Sequence, residues 1–452
     1  MDTISLSPLA LLFLLAVSFV ILGSSRQNAV KALLATALFM PLGQQVVLLG
    51  LHFYFSRILV LVGLVRVLMR HETRGMQWSM VDKLFLFWVL TVFIIGNIRD
   101  GPSEALVRML GFAYNALGIY FFIRFLTRDA KEVVEHVQFL ALASIVLAIL
   151  MAPELRTGRN FFSVLGGVPL LSDIREGRVR CQGPFRDSIL AGTFAATLFP
   201  LMVGLWFQPG RNRWRAVVGI LGCVFVTYAS ASSGPIMSFL AALLGLGLWR
   251  IRDRMRLFRR GAILVLIGLA LVMKAPVWYI IDRISSVIGG SGWHRSYLID
   301  QAVNHFNEWW LMGTSVTAHW APAGMVLTVN PKMMDITNEY VAQAINGGAL
   351  ELGLFIAIIV CCFKIVGRAV QSDGEPPLDR KLIWAFGVCL ATHCSAFVSV
   401  SYFDQIQVFW FWLLAVIPCF IAMPADYPAS EPLPEPADGM DESVTERVTA
   451  IS

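Results

Sequence analysis

Between two long apolar runs, residues 153–187 hold Arg156, Arg159, Arg175, Arg178, Arg180 and Arg186 against Glu154, Asp173, Glu176 and Asp187. Arginine presents a planar fork of donors that fits phosphate and carboxylate oxygens, so such a cluster at the mouth of a helical bundle selects an anionic ligand. Local pairing, for example within Arg175-Glu176-Gly177-Arg178, is the plainer account of any single one. Arg180 precedes Cys181-Gln182-Gly183-Pro184-Phe185. A Gly-Pro turn there holds it at headgroup depth, where a lipid-borne phosphate also sits. Arg178 joins it as a candidate contact, and Arg186, nearer the next apolar run, either does the same or snorkels to the interface.

Further along, Ser230-Ala231-Ser232-Ser233-Gly234-Pro235 makes a tight turn between two apolar runs. Its small residues let backbones approach, and the Ser232 and Ser233 hydroxyls are candidates to line a polar cavity, with close helix packing as the alternative. Residues 282–337 carry the densest polar and aromatic mixture in the chain, opening with Gly290-Ser291-Gly292-Trp293-His294-Arg295. Leu298, Ala302, Phe306 and Trp309 recur every three or four residues, which predicts an amphipathic helix at the interface. Arg295 lies near that helix's start, where freed amides and the dipole already favour an anion, with His294 beside it. His319 and the stretch Asp335-Ile336-Thr337-Asn338-Glu339-Tyr340 follow. Polar groups at the edge of an apolar run are costly unless they face a cavity or partners. Asp335, Glu339 and His319 are therefore candidate bases for a hydroxyl proton, and Asn338 and Tyr340 candidate ligand contacts. Capping by Asp335 or Thr337 is the alternative.

The elements that position these residues are legible in composition. Of 452 residues, 57% are hydrophobic and only 15% charged, and the mean hydropathy is +0.69. Too few charges remain to coat a water-facing surface, which excludes a soluble enzyme or a disordered regulator and predicts an all-α, polytopic transmembrane bundle. Helical spans are expected near 7–23, 29–43, 45–69, 83–98, 105–126, 133–152, 188–207, 214–231, 233–250, 262–281, 338–366, 382–400 and 405–423, or twelve if 29–69 is one interrupted segment. Basic loops at Arg70–Arg74, Arg124–Lys131, Arg211–Arg215, Arg250–Arg260 and Lys364–Lys381 then fall on one side, the cytoplasmic one. The long connections 153–187 and 282–337 fall outside. The net charge of +6 belongs to those loops, so nucleic acid is not an expected partner. Residues 1–423 form one membrane domain, and the Pro- and acid-rich 424–452 is expected to be a disordered cytoplasmic tail. None of the seven cysteines has metal or disulfide spacing, and no phosphate-binding loop, dinucleotide fingerprint or nucleophile elbow appears. No cofactor and no metal are expected.

Taken in order, Arg180 before Gly183-Pro184-Phe185, the Ser232-Ser233 turn, an outer loop with Arg295, and Asn338-Glu339-Tyr340 entering a glycine-bearing span resemble the O-antigen ligase and O-antigen polymerase family. The resemblance covers roughly 180–360. It implies a metal-independent glycosyltransferase using glycans carried on undecaprenyl diphosphate at the outer face of the bacterial inner membrane. Arg180 and Arg295 would be its diphosphate clamp. The implied partners are the lipid-linked oligosaccharide, a glycan or lipid acceptor, membrane lipids and other polysaccharide-assembly proteins. Thr337 stands where ligases usually carry His, and the Gly-Ser-Gly-Trp-His-Arg and Asn-Glu-Tyr wording is similar to members from exopolysaccharide clusters, so polymerisation is favoured over ligation. A transporter of a lipid-linked glycan is the alternative outside that family.

Overall fold

Each of the thirteen apolar segments contains a helix. In chain order the helices are α1 (Pro8–Gly23), α2 (Arg26–Phe39), α3 (Phe55–Met69), α4 (Met80–Asp100), α5 (Pro102–Leu126), α6 (Ala130–Thr157), α7 (Ser188–Leu205), α8 (Asn212–Ala229), α9 (Ser233–Gly247) and α10 (Met255–Val272). Shorter α11 (Ile280–Val287), α12 (Trp293–Asn304) and α13 (Phe306–Trp309) precede α14 (Glu339–Gln371), α15 (Arg380–Ala396) and α16 (Gln405–Val416). The computed structural model describes residues 7–48, 51–74, 76–210, 212–287, 292–322, 331–372, 376 and 378–420. The expected tail at 424–452, and Gly290 and Ser291 of the connection 282–337, lie outside the described residues.

The chain is mostly helical and carries the helices of a multi-pass membrane protein. Among the described residues α4, α5, α6, α7 and α14 are each long and apolar enough to cross a bilayer, and the bent unit from Ser233 to Ser285 would make a sixth. Several others stop short of the roughly 20 residues a crossing takes. Local chemistry ends them early: α1 stops at Ser24, because Ser25 accepts a hydrogen bond from the Asn28 N–H and caps α2.

One end of the bundle is a network of paired charges. Arg66 forks onto Glu72, Arg124 reaches Asp82, and Arg26 reaches Glu132, joining α2 to α6 at their first turns. Gln138 accepts from Arg215 and donates to Asn212, so α8 starts near the same end. From there α6 runs 28 residues, about 42 Å at a helical rise of ~1.5 Å per residue, and delivers Glu154 and Leu155 to the opposite end. The arginine-rich connection begins at that end.

Three expectations are corrected. The segment 45–69 is not helical throughout: β1 (Gln45–Leu48) and β2 (Leu51–Tyr54) form an antiparallel hairpin with Gln45 opposite Tyr54, and only then does α3 begin. A short apolar run rich in valine and aromatics between Gly43 and the helix suits a strand as well as a helix. The amphipathic helix over 298–309 breaks at His305 (φ −103°, ψ 28°) into α12 and α13. Leu298, Ala302 and Trp309 pack with Trp320 and Met334 in a small separate core, whereas Phe306 turns outward. Third, the span expected at 262–281 is displaced: α10 ends at Val272, and a one-turn 3-10 helix (Val277–Tyr279) and α11 follow; no residue of α10 is buried.

Candidate functional site

The connection after α6 folds into a second hairpin, β3 (Asp173–Arg175) with β4 (Arg178–Arg180). Its two-residue turn uses Glu176 (φ 52°) and Gly177 (φ 74°), the left-handed pair that matches strand twist. Asp173 opposes Arg180 and Arg175 opposes Arg178; opposite residues share a face, so the three arginines project from one side. Among the described residues Arg175 and Arg178 enter no ion pair, and Arg180 has Asp173 at 3.4 Å and Asp187 at 3.8 Å.

What fixes the hairpin is Glu154, at the end of α6. One carboxylate oxygen accepts the Gln182 N–H at 2.8 Å and the Ser172 hydroxyl at 2.7 Å, and the other accepts the Gly183 N–H at 3.1 Å. Asn160 donates to the Gly183 carbonyl, and the Cys181 N–H donates to Ala229 O at 3.0 Å, tying the strand to the end of α8. Burial, with Glu154 adding to it, pushes the Cys181 thiol up to about 12, so this cysteine is an inert packing group beside Arg180.

Ser232 and Ser233 follow Ala231, whose φ of 45° makes the turn tight. The Ser232 hydroxyl donates to Ser230 O and accepts from Arg180 Nη2 at 2.9 Å. Its neighbour Ser233 accepts from Arg295 Nη2 at 3.2 Å, while Arg295 Nη1 reaches Ser285 Oγ at 3.3 Å. Two guanidiniums from segments more than a hundred residues apart thus rest on adjacent serines. Arg295, in the first turn of α12, is 9% exposed and among the described residues has no carboxylate partner. Its burial pulls its pKa below the ordinary guanidinium value, yet arginine stays charged at neutral pH.

These groups line a cavity of about 500 Å³ whose polar side is Arg175, Arg178, Arg180, Arg295, Ser232 and Ser233 with the carboxylate Glu176, and whose apolar side includes Leu155, Ile189, Tyr228 and Ile236. An apolar groove of about 480 Å³ between α6 and α8, edged by Ile149, Leu221 and Val224, shares Tyr228 with it. Cationic cavity and apolar groove are therefore neighbours.

The remaining sequence candidates lie elsewhere. Arg186 is exposed, paired with Asp404 at 3.6 Å and set over the Phe403 ring; burial raises the Asp404 pKa and Arg186 works against that. His294 has Nε2 3.2 Å from the Asp335 backbone carbonyl, and the Asp335 side chain is exposed; neither residue lines the arginine cavity. His319 is exposed and bonded to Glu308. Asn338 caps α14 by accepting the Val341 N–H, and the Tyr340 hydroxyl donates to Cys394 O. Glu339 is buried, accepting from the Tyr402 N–H at 2.6 Å and from Gln343 at 2.8 Å, and lines a different cavity of about 400 Å³ with Glu351 and Trp410.

Sequence reasoning missed Glu154 as a scaffold, Ser285, and the segment 397–404. That segment packs Ser399 against Gly234, bonds Ser401 to Ile336 O and supplies the Tyr402 amide, and Ser401 and Tyr402 line the cavity that holds Glu339. The signals were present: a carboxylate inside an apolar run, and a Ser-Tyr-Phe-Asp break between two others. Glu154→Gln keeps one oxygen for Gln182 but turns an NH2 toward the Gly183 N–H. The expected result is a loss of about 1–3 kcal/mol of stability with the Arg180 hairpin loosened, read as a lower unfolding midpoint in detergent.

No protein-family model matches this sequence, and no curated protein does either.

Proposed function

We propose that the chain is a metal-independent membrane glycosyltransferase of polysaccharide assembly that transfers a glycan from undecaprenyl diphosphate to an acceptor hydroxyl, with polymerisation of repeat units as its activity. The observation that carries this reading is the pair Arg180 and Arg295 on adjacent Ser232 and Ser233, in a cavity that adjoins an apolar groove through Tyr228. A diphosphate ester of a long isoprenoid has that same division: a dianionic head and an apolar tail.

In this reading the thirteen helical segments form a bundle of twelve or thirteen spans in the bacterial inner membrane. The charge-paired end and the C-terminal tail are cytoplasmic and the arginine cavity faces the periplasm. The acceptor oxygen attacks the anomeric carbon as the bond from that carbon to the diphosphate oxygen breaks. The electron pair leaves with the diphosphate, whose growing charge the two guanidiniums stabilise at low dielectric. The hydroxyl proton goes to Asp335, an exposed carboxylate whose backbone carbonyl lies 3.2 Å from His294 Nε2 on the helix that carries Arg295. Glu339 is spoken for by the Tyr402 amide and Gln343, and His319 by Glu308.

A second reading, transport of the lipid-linked glycan without bond making, is favoured by one feature. Within α14 the helix is interrupted at Gly347 and Gly348, next to buried Glu339 and Glu351, and broken helices with buried carboxylates are common in transporters. Reconstituted protein supplied with purified undecaprenyl-diphosphate-linked repeat unit and no other acceptor separates the readings on a size-resolving gel. A ladder is the expected result. Extension only when a separate acceptor is added would make the protein a ligase, and movement of unmodified donor across the bilayer would make it a transporter.

A further inference from the structure

Outside the arginine cavity, the segment between α12 and α14 brings together three side chains with metal-ligand chemistry. His305 and Glu308 are spaced i, i+3 across the α12–α13 break, and His319 stands in a one-turn 3-10 helix, Ala318–Trp320. One ligand atom from each lies within 4.8 Å of the others. We propose that His305, Glu308 and His319 form a binding site for a divalent cation of the zinc class, which clasps the end of α12 to the 318–320 turn. This goes beyond the glycosyl-transfer reading and does not depend on it.

The surroundings are those of a ligand set held in orientation. His305 Nδ1 lies 2.9 Å from Gln301 O; a carbonyl only accepts, so Nδ1 carries the proton and Nε2 keeps its lone pair. The His305 ring stacks on Trp320, centroids 5.2 Å apart and planes 23° from parallel, and Trp320 is fully buried. Glu308 is fixed in turn by the Trp320 indole N–H at 3.1 Å, and its Oε2 is 2.9 Å from His319 Nε2. Trp309, on α13, is buried and donates to Ala302 O, which secures the short helix carrying Glu308.

Two imidazoles and one carboxylate are the donor set of an open tetrahedral zinc site, with the fourth position left for water. Bond lengths of about 2.0–2.1 Å put ligand atoms roughly 3.3 Å apart around such an ion. The His319 to Glu308 contact is already within a few tenths of an ångström of that. The remaining separations close by rotation of the His319 ring, which is exposed on its one-turn helix. His305 also occupies the C-terminal cap of α12, where the helix dipole favours a cation. Because Arg295 sits in the first turn of the same helix, a clasped α12 presents Arg295 from a stiffer support.

The test uses the full-length protein purified without a histidine tag and stripped with a chelator. It is titrated with ZnCl2 by calorimetry and with CoCl2 by visible absorption. Wild type is expected to take up one equivalent of zinc and to give the visible bands of tetrahedral cobalt. His319→Ala and Glu308→Gln should each weaken uptake at least tenfold with unchanged metal-free unfolding midpoints, and His305→Ala should weaken it as much while also losing its stack on Trp320. The proposal is overturned if wild type takes up no zinc, if the His305→Ala/His319→Ala double variant takes it up equally, or if MgCl2 binds as well.

Discussion

Arg295→Lys is expected to lower turnover of an undecaprenyl-diphosphate-linked glycan by about a hundredfold or more, with Arg180→Lys close behind. Lysine keeps the charge, so a purely long-range electrostatic role would be largely preserved. What it loses is the fork. Arg295 spans Ser285 on one segment and Ser233 on another with its two terminal nitrogens, and a single ammonium reaches only one of them. The ammonium is also more strongly hydrated, and at 9% exposure there is little water to hydrate it. Because the diphosphate gains charge as the glycosidic bond breaks in the proposed reaction, the loss should fall on kcat rather than KM. Ser233→Ala, which removes one hydrogen bond but no charge, should cost about tenfold or less. Initial rates of lipid-linked donor consumption in proteoliposomes give all three values.

The second large effect is on folding. Gly348→Ala is expected to destabilise the protein by several kcal/mol, because two independent penalties coincide. Gly348 has φ 73° and ψ −166°, a region essentially closed to side chains, costing on the order of 1–3 kcal/mol. A Cβ there would also lie 2.6 Å from Leu311 O and 2.8 Å from Trp310 O, both backbone atoms with no room to yield. The contact exists because 310–314 is sewn into the helix break: the Ala349 N–H donates to Trp310 O and the Thr314 N–H to Ile345 O, while Arg99 takes the Ile345 and Asn346 carbonyls. The substitution therefore forces open the joint between α14 and the segment bearing His305, Glu308 and Trp309. A large drop in unfolding midpoint, or failure to recover a monodisperse peak on size exclusion, is the expected outcome, whereas Gly353→Ala, with open space at its Cβ, should be near neutral.

Sequence alone reached the parts of this account that are local. Arg180, Arg295 and the Ser232-Ser233 turn announce themselves because guanidiniums in long connections between apolar runs and consecutive small residues carry their chemistry with them. That Arg180 and Arg295 meet on adjacent hydroxyls is a tertiary fact, set by Glu154 at one end of α6 and by the return of the chain through α10 to Ser285. Nothing in the spacing of 180, 232 and 295 encodes it. Likewise, the run at 45–54 is apolar enough for a helix and β-branched enough for a strand, and periodicity alone does not choose between them. The bareness of α10 was illegible for another reason: in a bilayer the face toward lipid and the face toward protein are both apolar, so pattern does not report packing. Asp335, Glu339 and His319 looked equivalent as candidate bases, and only their partners distinguish them: His294 beside the Asp335 carbonyl, the Tyr402 amide on Glu339, and Glu308 on His319.

The central claim is that the cavity bounded by Arg180, Arg295 and the Ser232-Ser233 turn holds a lipid-borne diphosphate. Native mass spectrometry of the purified protein with added undecaprenyl diphosphate addresses it without assuming any sugar or acceptor. Wild type should retain one molecule, undecaprenyl monophosphate should be held more weakly, and an Arg180→Ala/Arg295→Ala double variant of unchanged fold should retain neither. Equal retention of undecaprenyl diphosphate by wild type and the double variant would contradict the account.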